Sequence, residues 1–299
     1  MFGDEDVVGT LNMIDQGQVL ASSRLVRTGK VFSLNAPLDV PNPPLDVDRK
    51  APRHRVIRGS TGSFTHLDDV VDSHYPQASS QWDSLGHIAY AGDTFYNGAS
   101  TAQVLAGERN NISVWSKRGI VGRAVMLDVA RFCADRWGSE ELGSGSIALG
   151  VDDLEDARQS AHIDYTDGCI LLLHTGFLRW YKQQSESERT ALPGKLTSPG
   201  LDHTEAMAAY LWDNRISAVA ADNFAVEVWP PDLSPEAEPF GFLHRMLIGQ
   251  FGMALGELWH LEDLAADCAD DGIYECMLAS TPWHLPGGIG SPANALAIK

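Results

Sequence analysis

The 299-residue chain predicts a mixed α/β fold on three observations. Strand-like and helix-like segments alternate through its second half, while the first half is mostly strand and loop. GIVGRAVMLDVA (119–130), DGCILLLHTG (ending at Gly176) and ISAVAAD (216–222) are nearly continuous apolar runs, as expected of strands buried on both faces. No internal repeat, low-complexity tract or interdomain linker interrupts the chain, so residues 1–299 are expected to form one domain.

Each element has a local reason. The stretch 10–27 becomes helical after Asp15, with Val19, Leu20, Leu25 and Val26 offering an apolar face and Gly29 a stop. KVFSLNAPL, from Lys30, reads as a first strand. Residues 38–65 are rich in proline and charge and read as a long loop or arm, which covers a site or reaches a neighbouring subunit. The 152–160 stretch reads as an exposed helix, and TEAMAAYLWD (204–213) as an amphipathic helix leading into ISAVAAD. GFLHRMLIGQ is helix-like and runs into FGMALGE, followed by the helix HLEDLAADCA and the strand YECMLAS.

Composition narrows the function classes. Hydrophobic content of 44 %, charged content of 21 % and aromatic content of 8 % describe a soluble globular protein. With 22 basic against 40 acidic residues the net charge is −18, which disfavours nucleic acid and anionic membrane as partners. No apolar run approaches the roughly 18 residues of a membrane span, and MFGDEDVVGT is acidic where a secretory signal is basic. Cys133, Cys169, Cys268 and Cys276 form no CxxC pair and read as buried thiols of a reduced, cytoplasmic protein. There is no Walker loop, no GxGxxG and no GxSxG; GGIGSP reads as a glycine turn without a lysine.

The polar run QASSQWDSLGH (77–87) carries the chemistry. Gln77, Gln81, Asp83 and His87 are spaced four, two and four apart, so an extended strand projects all of them from one face. A straight strand would hold Gln77 and His87 about 33 Å apart. Gln81 and Asp83 can share one ion directly, and His87 joins only if the chain turns near Ser84–Gly86. The plainer reading has the glutamines bonding loop backbone and His87 satisfied in the core. Far downstream, His244 lies in FGFLHRMLIG and Glu257 in the apolar MALGELWHLED. A carboxylate there needs a cation or donors, or else it serves as the N-terminal acid of the following helix.

GIVGRAVMLDVAR, LLLHTGF, SPGLDH, ADNFAVE and LHRMLIGQFGMALGEL follow one another as they do in the metal-dependent cyclase family, which this sequence resembles from GTLNMI to GGIGSPANALAI. The resemblance implies the family's swivelling β/β/α fold. Laid over the signature HxGTHxDxPxH, the first histidine falls on Gln77 and the second on Gln81, while Asp83 and His87 match. The chain is thus similar to the longer QWD branch, with trans-dienelactone hydrolase and isatin hydrolase, rather than the kynurenine formamidase branch.

The resemblance implies a metal set of Gln81, Asp83, His87, His244 and Glu257. Its mixed oxygen and nitrogen donors suit one divalent ion, Mn²⁺ or Zn²⁺. His87 or Glu257 would act as general base, with His54 from the arm also assigned to catalysis. Gln77, Trp82, Tyr96, Asn97 and Asp222 are expected to meet a small-molecule substrate. The implied activity is hydrolysis of a small cyclic or aryl amide, lactam or lactone by a homodimer or homotetramer. Ring closure by a cyclase or dehydratase, and a metal-less binding homologue, are the alternatives.

Overall fold

Residues 2–138 and 142–299 are described in a computed structural model. Its principal strands are β1 (Val31–Ser33), β2 (Arg53–Thr61), β3 (Phe64–Asp72), β4 (Gln81–Asp83), β5 (Ile120–Asp128), β6 (Ile170–His174), β7 (Ala218–Ala221), β8 (Ala254–Glu257), β9 (Glu275–Ser280), β10 (Gly290–Pro292) and β11 (Ala295–Ile298). Nine of them make one mixed sheet in the order β1-β11-β9-β5-β6-β7-β8-β4-β10. The middle strands β5 to β8 run parallel, and the strands outside them on both sides are antiparallel.

Apolar continuity puts those strands in the middle. Every residue of β6 and of β7 is buried, and Leu171, Leu172 and Leu173 are fully so. Each such leucine contributes roughly 1.5–3 kcal/mol relative to exposure. Helices α1 (Gln16–Ser22), α2 (Val151–Ser160), α3 (Phe177–Gln183), α4 (Glu205–Asp213) and α5 (Glu262–Asp271) flank the sheet. α2 buries Leu154 and Ala157, α4 Met207, Ala208 and Leu211, and α5 Leu264, Ala265 and Cys268, at the helical spacing that gives one apolar stripe. All four cysteines are free and buried, as expected. Among the described residues no helix is long and apolar enough to cross a membrane.

Three segments depart from the sequence reading. Asp15 does cap α1, accepting from the Gln18 N–H at 2.8 Å while Gln18 Oε1 accepts from the Asp15 N–H. However, the helix ends at Ser22, and while Val19 packs against the core, Leu20 and Val26 are exposed, so only part of the expected apolar face is buried. The 38–65 arm is not all loop: from Arg53 it becomes the antiparallel hairpin β2–β3, which turns at Gly62 with φ +62° and runs on to Asp72. Val56, Ile57, Phe64 and Leu67 on it are exposed among charged neighbours, so no period-2 alternation marks it as strand. Third, GGIGSP contains the edge strand β10, paired to β4 with Gly290 opposite Asp83. A Cβ on Gly290 would collide with the Gln77 side chain, so the glycine permits that close approach.

The strand β4 is three residues long because the turn Pro76–Ala78 precedes it and the chain reverses after Asp83. Alternation sends Trp82 to the face opposite Gln81 and Asp83. There it is fully buried, donates Nε1–H to Ser280 Oγ at 2.9 Å and meets Trp259 edge-on at 4.8 Å. This tryptophan anchors the strand that carries the polar residues.

Candidate metal centre

The antiparallel register of β4 on β8 places Glu257 opposite Gln81 and Leu255 opposite Asp83. Gln81, Asp83 and Glu257 therefore share one face of the sheet. The Gln81 amide donates from Nε2 to Glu257 Oε2 at 2.6 Å and toward Asp83 Oδ2 at 3.4 Å. His244 arrives from a different element, the residue just before the π-helical turn Arg245–Gln250. Such wide turns recur at functional sites. Its Nε2 lies 3.0 Å from Glu257 Oε1. One ligand atom from each of Asp83, His244 and Glu257 falls within 4.8 Å of the others, and all three residues are buried.

Behind His244 stands Glu227, 1 % exposed, a residue the sequence reading quoted in ADNFAVE but gave no role. It contacts His244 Nδ1 and accepts the backbone N–H groups of Leu243 and His244. His203, from SPGLDH, reaches its other oxygen at 3.0 Å. A carboxylate that holds the far nitrogen of a ligating histidine fixes that ring's orientation. Burial opposes the charged form of Glu227, yet bonds from His203 and His244 bring its carboxyl below the ordinary range. Burial likewise opposes charge on His244, but Glu227 and Glu257 push it up to about 10. The signal for Glu227 in the sequence was a lone acid in an apolar run, the same one that marked Glu257.

The chemistry of the donor set fits a divalent cation. Asp83 Oδ1 and Gln81 Oε1 are buried with no hydrogen-bond partner. Burial raises the Asp83 carboxyl, and Glu257 raises it further against the opposing pull of His87 and His244. A buried carboxylate with an unmet oxygen and a second carboxylate beside it is stabilised by a cation. Two carboxylates and an imidazole suit Zn²⁺ or Mn²⁺. Gln81 presents its NH₂ to both carboxylates here; rotation of the amide would turn Oε1 to the same point.

His87 comes round as the turn at Ser84–Gly86 requires. Its N–H donates to Ser84 O at 3.0 Å, and Nε2 stands 3.8 Å from Asp83 Oδ1. Its side chain is 22 % exposed while that of Asp83 is fully buried, so His87 is the solvent-facing member of the group. The structure therefore gathers Gln81, Asp83, His87, His244 and Glu257. Glu257 closes strand β8 rather than opening a helix.

The other expected site residues lie apart from this group. His54 is exposed on the hairpin, paired with Asp69 at 2.6 Å. Tyr96 donates to Asp6 Oδ2 at 2.8 Å, and Asn97 Nδ2 donates to the carbonyls of Gly3, Asp4 and Asp6. These two pin the amino-terminal segment. Trp82 faces the core. Asp222 accepts from the N–H and hydroxyl of Thr175. Gln77 packs beside β10, with its carbonyl held by Arg49.

The Cyclase family model matches residues 33–228, which include Gln77 to His87, His203 and Glu227 but stop short of His244 and Glu257. A crystal structure described as a novel cyclase is similar over 99 % of this chain and 97 % of its own, at 31 % identity and a TM-score of 0.85. Isatin hydrolase A from Labrenzia aggregata, bound to benzyl benzoate, is 15 % identical over 94 % of this chain and 97 % of its own, with a TM-score of 0.60. Isatin hydrolase A from Ralstonia solanacearum is 15 % identical over 94 % of both chains, also with a TM-score of 0.60. No curated protein sequence matches the chain.

Proposed function

Since the chain belongs to the cyclase family, we propose that it is a metal-dependent hydrolase of a small cyclic or aryl amide, lactam or lactone. The observation that carries this reading is the buried group Asp83, His244 and Glu257, with Asp83 Oδ1 left without a hydrogen-bond partner and a half-buried histidine alongside. Those three residues would hold one divalent ion, with Gln81 either completing the set or steadying Glu257. When bound, such an ion supplies Lewis acidity toward a carbonyl and makes water a better nucleophile at neutral pH.

The chain's own residues do the rest. His87 Nε2 is the proton carrier: it takes a proton from water and returns it to the leaving nitrogen or oxygen. Asp83 Oδ1, 3.8 Å from that nitrogen, keeps the ring beside the group. Glu227 fixes His244, and Trp82 fixes the strand that positions Asp83.

Ring closure is the second reading, favoured by the 31 % identical relative being described as a cyclase. The same proton carrier serves it, with water leaving instead of entering. Metal-loaded protein offered lactones, imides and aryl formamides, against open-chain hydroxy and keto acids, separates the two. Turnover of none of the former set would end the hydrolase reading.

A further inference from the structure

The hairpin β2–β3 stands apart from the sheet of its own chain. It forms a two-stranded sheet by itself, and among the described residues no other strand pairs with either edge. Gly59 and Val70 apart, every residue of its two nine-residue strands is exposed. A lone two-stranded hairpin is at best marginally stable in water. Yet this one, with strands roughly 30 Å long, carries large apolar side chains into solvent: Phe64 is 66 % exposed, Leu67 65 %, Val56 59 % and Ile57 43 %. Its root is fixed to the body, since Arg49, just before the hairpin, donates to the carbonyl of Gln77, just after it.

Charge on the arm is divided by strand. β2 holds Arg53, Arg55 and Arg58, and β3 holds Asp68, Asp69 and Asp72. The arm is thus electroneutral on a chain of net charge −18, and two copies can approach through it without the repulsion that their acidic bodies impose. Strand alternation sorts the side chains further. Arg53 pairs with Asp72, Ile57 with Asp68 and Thr61 with Phe64, so Arg53, Arg55 and Ile57 share one face with Phe64, Asp68 and Asp72. On that face Arg55 meets Asp72 at 3.2 Å. The other face holds Val56, Arg58, Leu67 and Asp69, where Asp69 is paired with His54 at 2.6 Å.

We propose that this hairpin is a dimerisation arm whose occupant is a second copy of this chain. The two arms lie face to face about a two-fold axis along their length, with β2 of each over β3 of the other. That axis sets arginines over aspartates and closes Ile57 and Phe64 into an apolar seam, whereas an axis across the arms would set arginine over arginine. The surface is self-complementary, as a two-fold contact requires. A standard interface takes about 20–30 residues a side, more than one face of the arm supplies. The same axis brings both roots to one end, where an exposed apolar patch extends the contact. Tyr75 and Trp283 lie there, 36 % and 40 % exposed, with the His74 ring 5.0 Å from that of Trp283.

Sedimentation velocity of the full-length protein tests this. The wild type is expected to sediment as a dimer, and Ile57→Ser with Phe64→Ser to raise its dissociation constant at least about tenfold. Val56→Ser with Leu67→Ser, on the other face, is expected to leave it unchanged. All four positions are exposed, so neither variant disturbs the core. A charge exchange gives a second readout. Arg53→Glu with Arg55→Glu, and separately Asp68→Lys with Asp72→Lys, are each expected to sediment as monomers, and an equimolar mixture of the two to dimerise. A monomeric wild type overturns the proposal. So does a dimer indifferent to the Ile57 and Phe64 changes, one weakened equally by those at Val56 and Leu67, or a mixture that stays monomeric. The metal assignment stands or falls separately.

Discussion

Gln81 Nε2 donates to Glu257 Oε2 at 2.6 Å, across an antiparallel strand pair that joins residues 176 positions apart. The bond holds one of two buried carboxylates in place while Gln81 Oε1 stays unmet. Gln81→Leu removes both the donor and any ligating oxygen without removing a charge. Its metal affinity is expected to fall about tenfold, the loss typical of a supporting partner. Unchanged affinity, measured by chelator competition, would show that Gln81 neither supports nor completes the site.

Glu257 is placed deeper in the assignment. Protein stripped with EDTA and reloaded with Mn²⁺ or Zn²⁺ is expected to take up about one ion per chain, and Glu257→Gln to retain little after buffer exchange. Wild-type metal content in the variant would remove Glu257 from the ligand set.

His87→Asn separates proton transfer from metal binding. Hydrolysis of a responsive lactone or amide is expected to fall about 10²–10⁴-fold while metal content holds. Loss of the ion together with activity would instead make His87 a ligand.

Glu227→Gln tests the residue behind His244. Metal affinity is expected to drop about 10–100-fold with Asp83, His244 and Glu257 all intact. If affinity is unaltered, Glu227 serves only to hold the loop through the Leu243 and His244 amides.

His174 gives the protein a pH signature away from the candidate metal centre. Its folded value, about 8, lies above the ordinary 6.5, so its contribution is fully present below 6.5 and is lost as pH rises through 8. The amount is on the order of 2 kcal/mol, read as denaturant stability across that window. His174→Asn is expected to lessen the slope there, the part due to His244, raised to about 10, remaining; the same slope in the variant would refute the assignment.

By itself the sequence indicated the doubly buried strands of the sheet and half of the candidate metal site. ILLLH and AVAA read as buried strands, because continuous apolar residues leave no face for water. Asp83 and His87 were legible as a pair because their spacing and the Ser84–Gly86 turn are local matters. The hairpin β2–β3 was hidden, since both of its faces mix charge with apolar side chains and periodicity has nothing to report.

Only the tertiary structure decided which residues meet. The β4–β8 register brings Gln81 to Glu257, and packing around a π-helical turn puts Glu227 behind His244. It also placed His54 and Asn97 elsewhere and drew Asp128, His174 and Asp222 into one row on the far face. Strand order and register between distant segments depend on the burial of whole faces at once, a sum over the molecule that no short stretch of sequence contains.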